Sequence, residues 1–408
     1  MKIKNCRLCN SNYLKDVVDL GHHPLADTFL PKNLSLNAEV SYPLQLGLCE
    51  SCGHVSTLFQ VSAEDRYQKQ DYSYDSSNSK ISIDHFGEFA DAVISESTLN
   101  SSDLIVDIGS NVGTLLNHFK IRGLNNVLGV EPSENISKIA EKSGIPTIND
   151  FFSNKIVDSL NKIGPIKLLL GSNVLNHADN INDFLSVAKQ TLAPQGMFVF
   201  EVPYLYDLVR TTSFDTIYHE HVHYFGIKPL ASVLKLHGFS IFKIEKLEYM
   251  CGSIRIYTKI SGKHSSDVLS YIEKEEEFKL YNKSTYDLFM QRVQKVKLTV
   301  SYQLLKIKLG GGKIIGIGAA TKGNTFLNYC GLDSDVIEYI TDSSILKIGK
   351  FTPGSHIRII SDEDIDDSVT HALILPWNIA DMLQKKLAHL NLKFYVPQVE
   401  VLSINKYT

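Results

Sequence analysis

The chain reads as an α/β protein with a doubly wound parallel sheet at its centre, a small metal-binding module before it and a second strand–helix set after it. Three observations carry this reading. Short β-branched runs at 104–108, 126–130, 167–171 and 197–202 are separated by segments of helical period at 112–121, 133–143 and 181–192; that alternation builds a parallel sheet covered on both faces. Four of the six cysteines fall in the first 52 residues as Cys6-x-x-Cys9 and Cys49-x-x-Cys52. A second alternation opens at Lys313-Ile314-Ile315-Gly316-Ile317, with strands predicted near 336–340, 372–375 and 394–396. Boundaries are accordingly placed at 1–70, 71–262 and 263–408.

Taken in order, the cysteines come first. A C-x-x-C turn points two thiolates at one ion, and two such turns complete a tetrahedral site for one structural zinc held by Cys6, Cys9, Cys49 and Cys52. A redox role would need a thioredoxin-like βαβ context, which is missing here. Leu44, Leu46, Leu48, Val55, Leu58 and Phe59 give the module a strand-like alternation, but so small a core needs the metal for stability. Cys251 and Cys330 lie far away and read as buried small hydrophobes. Residues 64–80 are polar and rich in Tyr and Ser, which predicts a linker or loop. Residues 83–97 form an amphipathic helix carrying Phe86, Phe89, Ala90, Val93 and Ile94 on one face. The segments after 240 and at 252–260 read as two antiparallel strands closing the central sheet, and 264–309 is charged and helical in period.

Composition narrows the function. The 408 residues are 43% hydrophobic and 21% charged, which suits a globular protein and not a disordered one. Lys plus Arg number 41 against 45 for Asp plus Glu, a net charge of −4. No basic excess is available to neutralise a phosphate backbone, so no nucleic-acid partner is expected. No apolar run reaches the ~18–20 residues of a membrane span. The opening Met1–Cys6 carries no apolar signal stretch, so a cytoplasmic location is expected, where disulfides are rare. No coiled coil or exposed apolar stripe demands assembly, and a monomer is expected.

The chemistry begins in the loop after the first central strand, Asp107-Ile108-Gly109-Ser110-Asn111-Val112-Gly113. Its glycines let backbone approach a ligand, and the helix that follows offers free N–H groups. Glu131 ends the next strand, where a carboxylate accepts both hydroxyls of a ribose. The spacing D-x-G-x-x-x-G differs from the dinucleotide fingerprint and resembles the first motif of class I S-adenosylmethionine methyltransferases. That resemblance places Asp107 on the loop or the methionine ammonium, and Asp150, in Asn149-Asp150-Phe151-Phe152, on the adenine. Gly171–His177 follows the fourth strand and puts Asn173 and His177 at the carboxyl end of a central strand, where ligands bind in open sheets. The densest polar cluster is Tyr218-His219-Glu220-His221-Val222-His223. Three histidines at alternate positions of a strand make a poor metal set; a base beside an orienting carboxylate is more natural. The last loop, Gly316–Thr325, sets small residues, Lys322 and Asn324 at a helix start suited to a pyrophosphate. Asp342 follows the next strand as a ribose or base contact. The loop is no Walker A sequence, since no Gly-Lys-Ser/Thr occurs.

Together these segments resemble the three-domain sugar C-methyltransferases that act on nucleotide-linked keto-deoxysugars, the family that includes the C-3 methyltransferases of tetronitrose biosynthesis. The resemblance runs nearly the whole length. It rests on the four cysteines, the Tyr-x-Tyr-x-Ser-Ser stretch at 72–77, Asp107–Gly113, Tyr218–His221, Gly318–Asn328, and Lys347-Ile348-Gly349…Pro353-Gly354-Ser355-His356-Ile357. It implies a central class I methyltransferase domain using S-adenosylmethionine, and a C-terminal Rossmann-like domain helping to hold a dTDP-, GDP- or CDP-linked sugar. It implies His221 as base, with Tyr218, Glu220 and His177 beside it and Tyr72 or Tyr74 on the substrate side. Lys322, Asn324, Asp342 and His356 fall on the sugar-nucleotide side. Two departures stand out: Val112 replaces a common Asp, and Ser343-Ser344-Ile345 replaces Asn-Pro. The expected reaction is methylation, C-3 by default, of a carbon next to the sugar's ketone. The rivals are an O- or N-methyltransferase of similar build, a zinc-ribbon scaffold that only binds nucleotides, and a dehydrogenase using the C-terminal domain.

Overall fold

The computed structural model describes residues 2–32, 39–69, 71–249 and 252–397. Its centre is a seven-stranded sheet. The elements run α2 (Lys80–Ser95), β4 (Leu104–Ile108), α3 (Thr114–Ile121), β5 (Val127–Val130), α4 (Glu134–Lys142), β6 (Thr147–Ile148), α5 (Val157–Ile163), β7 (Ile166–Ser172), α6 (Ile181–Thr191), β8 (Leu192–Pro203), α7 (Leu205–Thr211), β9 (His223–Tyr224), α8 (Ile227–Leu236), β10 (Phe239–Leu247) and β11 (Ser253–Ile260). The order is β10-β11-β8-β7-β4-β5-β6, parallel except for β11, which runs antiparallel between β8 and β10. Every residue of β4 is buried, as a strand covered on both faces requires. Its side chains alternate: Leu104, Val106 and Ile108 join the core under α5, α6 and α8, while Ile105 meets Phe86 and Phe89 of α2 and Leu116 of α3. The chain reverses its winding at β4, leaving a crevice at the carboxyl ends of β4, β5 and β7.

The N-terminal module comprises β1 (Leu14–His23), β2 (Tyr42–Cys49), β3 (Val55–Thr57) and α1 (Ala63–Tyr67). Its antiparallel sheet, β1-β2-β3-β9, borrows β9 from the central region. Leu44, Leu46 and Leu48 point into a core shared with the C-terminal helix described next. Of the segment 64–80, expected as linker or loop, 64–67 belong to α1 and Lys80 opens α2, while the described residues between them are loop. Ser62 caps α1 by accepting the Asp65 N–H, and Arg66 is buried with three acceptors around its guanidinium, the His177 and Glu220 carbonyls and Asp179.

The C-terminal set runs α9 (Ser266–Glu277), α10 (Lys283–Leu309), β12 (Ile314–Ile317), α11 (Thr321–Cys330), β13 (Ile340–Asp342), β14 (Ile359–Ser361), β15 (His371–Ile374), α12 (Ala380–Lys386) and β16 (Lys393–Tyr395). Its all-parallel sheet has the order β14-β13-β12-β15-β16, with the reversal at β12. The strand expected near 336 starts at Ile340, and β14 had no sequence signal. Cys330 is buried, at 4% exposure; Cys251 lies outside the described residues. The inner face of α10 buries Tyr286, Phe289, Val293, Val296, Val300 and Leu304. Contrary to the sequence reading, its outer face exposes an apolar stripe, Leu298, Tyr302, Leu305 and Leu309. No helix among the described residues is long and apolar enough to cross a membrane.

Candidate active site

The four cysteines converge as the spacing requires. All four sulfurs lie within 4.8 Å of one another, with Cys6 to Cys52 at 3.7 Å and Cys9 to Cys49 at 3.6 Å. A tetrahedron with ~2.3 Å zinc–sulfur arms has edges of ~3.8 Å, so the set fits zinc and leaves no open position. The Leu8 N–H donates to Cys6 Sγ, and Asn182 of α6 donates to the carbonyls of Arg7 and Leu8, seating the knuckle on the central domain.

A second feature is a cavity of about 900 Å³ that all three parts of the chain line. Its central wall carries Asp107, Gly109, Asn111, Glu131, Asp150, Asn173 and His177. Burial pushes the Asp107 carboxyl up to about 8, with Glu131 and Glu201 adding to the shift, and its Oδ1 has no partner. Glu131 Oε2 accepts the Asn111 N–H at 3.1 Å and Oε1 accepts the Ser133 N–H at 2.8 Å, which leaves a second lone pair on each oxygen. Gly109 has φ +62°, and a Cβ there would come within 3.0 Å of Val174. Asn173 is also left-handed, at φ +54°, with Oδ1 buried and unpartnered. Two expectations need correction. Gly113 does not reach the cavity; its φ of +83° lets α3 start against Ile145, 2.7 Å from where a Cβ would sit. Asn111 lines the cavity, but its side-chain amide is taken by Ser76 N–H and Tyr74 C=O, so it fastens segment 72–77 over the loop. Asp150 Oδ1 accepts the Phe151 N–H.

Across the cavity the Tyr-His-Glu-His segment is a turn, and only His223 and Tyr224 form a strand. The turn separates the three histidines, which an extended strand could not do. His221 Nδ1 donates to the Thr216 carbonyl at 2.9 Å, and its Nε2 accepts from Tyr218 Oη at 2.7 Å. Burial lowers its pKa to about 4, so the ring is neutral. His177 meets it edge to face, centroids 4.8 Å apart. His219 bonds the Pro43 carbonyl, and His223 bonds the Ala178 carbonyl and His54; neither lines the cavity. Glu220 does not orient the His221 ring. Its Oε1 accepts the Asp27 N–H at 2.9 Å, its Oε2 is buried and unpartnered, and burial, reinforced by Asp27, pushes its carboxyl up to about 7.

Sequence reasoning missed Asp27, Arg66 and Tyr67, all from the N-terminal module. Tyr67 Oη bonds His177 Nδ1 at 2.5 Å. Arg66 bonds the carbonyls of His177 and Glu220 and pairs with Asp179. Asp27 Oδ1 accepts from Ser73 and from Thr321 of the C-terminal domain. An arginine and a tyrosine in a polar stretch give no local signal; only the burial of Arg66 and the place of Tyr67 on the cavity wall mark them. Tyr72 packs on Tyr67, centroids 5.5 Å apart, whereas Tyr74 sits beside Tyr249 and Ser82. Both line the cavity.

On the C-terminal wall, Lys322 and Asp342 line the cavity. Lys322 Nζ lies 3.7 Å from Asp215 Oδ2 and over the Trp377 ring. Asp342 accepts the Ala319 and Ser344 N–H groups. Asn324 and His356 are corrections, since neither is among the lining residues. Asn324 is buried and donates to the Ala26 carbonyl; His356 bonds Glu39 at 2.7 Å. Both join the C-terminal domain to the N-terminal module.

Comparison with known proteins agrees with this layout. Residues 6–67 match the family profile described as "Putative zinc binding domain", 83–244 "Methyltransferase domain" and 249–396 "C-methyltransferase C-terminal domain". C-methyltransferase NovU of Streptomyces niveus is 30% identical over 403 residues, 97% of this chain and 95% of that protein. The chain belongs to the S-adenosylmethionine-dependent C-methyltransferases with an N-terminal zinc-binding domain. This enzyme therefore carries a class I methyltransferase fold and uses S-adenosylmethionine, and the scaffold, dehydrogenase and O- or N-methyltransferase readings fall away. Among solved structures, a methyltransferase from Clostridium acetobutylicum shares 16% identity over 44% of this chain and 92% of its own, with a TM-score of 0.37. One from Mesorhizobium loti shares 16% over 43% and 99%, with a TM-score of 0.34. The family assignment draws nothing from likenesses so slight.

Proposed function

We propose that this enzyme methylates the carbon next to the ketone of a nucleotide-linked keto-deoxysugar, C-3 in the first instance, in the cytoplasm. The observation that carries the reading is one cavity holding an orphaned acid at a switch point and, opposite it, a buried Tyr–His cluster. The residues fit the methyl donor: Asp107 would hold the methionine ammonium, which would restore its charge. Glu131 would take the ribose hydroxyls on its remaining lone pairs, and Asp150, Phe151 and Phe152 would frame the adenine. Asn173 would turn its free amide oxygen to the methionine end. When bound, S-adenosylmethionine supplies a methyl group on a sulfonium sulfur and departs as the neutral thioether.

A sugar C–H is no nucleophile until a neighbouring ketone acidifies it, so the chain's task is to move that proton. His221 is neutral and its Nε2 lone pair faces Tyr218 Oη. The substrate proton passes to the Tyr218 oxygen as the phenol proton passes to His221, leaving the C–H electron pair to form the new C–C bond. His177 meets the ketone oxygen as charge develops there. Tyr72 fits the substrate side, and Lys322, with Asp342 near the ribose or base, fits the pyrophosphate side. A second reading has its own support: Glu220, its Oε2 unpartnered and its carboxyl pushed up to about 7, is poised near neutral pH as a base in its own right. The deciding experiment mixes enzyme and donor with a panel of 3-keto and 4-keto sugar nucleotides and reads methylated product by mass spectrometry. Turnover of none of them, or a methyl group on oxygen, refutes the reading. In His221→Asn, deuterium exchange of the acidic sugar proton should stop together with methylation; loss of exchange in Glu220→Gln alone moves the base to Glu220.

A further inference from the structure

We propose that Tyr67, carried in by the zinc-binding module, is a positioning residue that holds His177 as the tautomer with its proton on Nε2, on the cavity side. This rests on the functional reading above only for the identity of the oxygen that Nε2–H serves.

The argument is geometric. His177 has two ring nitrogens, and Nδ1 is occupied by Tyr67 Oη at 2.5 Å. The direction of that bond decides the tautomer. The Arg66 guanidinium lies 5.3 Å from the centre of the Tyr67 ring, but its hydrogen bonds go to the His177 and Glu220 carbonyls and to Asp179. Tyr67 Oη has no other hydrogen-bond partner among the described residues, and of the pair the phenol O–H is the stronger donor and the imidazole nitrogen the stronger acceptor, so the O–H donates to Nδ1. Nδ1 therefore carries a lone pair and Nε2 carries the proton. Arg66 is held in turn: its side chain is fully buried, it pairs with Asp179, and it bonds the His177 carbonyl at 3.1 Å. Burial, His221 and Arg66 all oppose a charge on His177, so the ring is a neutral donor.

The facing histidine has the opposite tautomer. His221 Nδ1 meets a carbonyl, which only accepts, so its Nε2 bears the lone pair. The two rings, 4.8 Å apart, thus give the same cavity one acceptor, the Tyr218 oxygen backed by His221 Nε2, and one donor, His177 Nε2. Enolisation needs that pairing: an acceptor for the C–H proton and a preorganised donor for the oxygen that gains charge. Reversing the Tyr67 bond would put a lone pair on both Nε2 atoms and leave the oxygen without its imidazole donor.

The test uses the full-length zinc-loaded protein labelled with ¹⁵N-histidine, read by long-range ¹H–¹⁵N correlation at pH 7.5, with His177 assigned by its loss in His177→Gln. In the wild type, Nδ1 of His177 should be unprotonated and Nε2 protonated. In Tyr67→Phe the signals should shift toward the other tautomer. A protonated Nδ1 in the wild type overturns the proposal, and that spectrum suffices even if Tyr67→Phe does not fold. An unchanged tautomer in a folded Tyr67→Phe also overturns it. With the acceptor in hand, Tyr67→Phe should lower kcat about tenfold, less than the ~10²–10³ lost with a donor outright, leaving donor affinity and acceptor KM within about twofold. The expected tautomer without turnover of any keto sugar nucleotide would refute the substrate reading and leave the Tyr67 assignment standing.

Discussion

Glu131 offers the sharpest test of donor binding because its structural and ligand duties can be separated. Its two oxygens already cap the Asn111 and Ser133 N–H groups at 3.1 and 2.8 Å, at 4% exposure. Glu131→Ala strands both donors and deletes the ribose acceptor. Each stranded N–H costs ~1–3 kcal/mol, so urea unfolding of the ligand-free protein should lose about 2–6 kcal/mol. Losing a charged acceptor for the ribose costs a further ~1.5–3 kcal/mol of donor affinity, or about one to two decades in Kd. Glu131→Gln keeps one carbonyl acceptor, so it should strand a single N–H and weaken the donor by about one decade. Calorimetric titration with S-adenosylmethionine, beside urea melts of both variants, gives the two numbers independently. If both variants lose stability as worked here while donor affinity stays within about threefold, Glu131 merely caps the loop and the ribose lies elsewhere.

Other outcomes follow from the same geometry. Zinc should be present at one equivalent and fall below half an equivalent in Cys49→Ser, as elemental analysis would show; since Asp27, Arg66 and Tyr67 ride on the module, activity should fall with the zinc. The pH dependence of kcat/KM for the acceptor reports the free enzyme's base. With His221 at about 4 and required neutral, the rate should rise through about pH 4 and stay flat to pH 8. A rise with its midpoint near pH 7, abolished in Glu220→Gln, would instead assign the base to Glu220. Lys322→Ala should raise the sugar-nucleotide KM by about tenfold, the worth of one charged contact, and leave donor Kd unchanged; the reverse pattern would move the acceptor to another wall.

Much of this protein was legible before any coordinates. A short β-branched run placed β4 at 104–108 and helical periodicity placed α6 at 181–192, one residue past its observed end at Thr191, because a buried strand or an amphipathic helix writes its burial into neighbouring residues. The double C-x-x-C spacing named the metal ligands, since two turns of fixed geometry define four sulfur positions. Asp107, Glu131, His177 and His221, singled out because each follows a strand or sits in a dense polar run, all line the one cavity.

What sequence spacing could not decide is how residues far apart in the chain partition their hydrogen bonds. His219, His221 and His223 look equivalent in a row, yet only His221 faces the cavity, because a turn at 219–220 breaks the strand. Glu220 beside His221 reads as its orienting carboxylate, but folding gives that carboxylate to Asp27, 193 positions away. Asn324 and His356 look like ligand contacts and are used instead to join domains, and Gly113 serves Ile145. Tyr67 and Arg66 sit in a stretch whose polarity predicts solvent; Arg66 becomes buried because acceptors from the central domain close around it, and Tyr67 turns to the cavity beside His177. Local pattern records which face of an element is apolar; the partner of a buried polar group is chosen only when the three parts of the chain pack together, and the cavity lies where they meet.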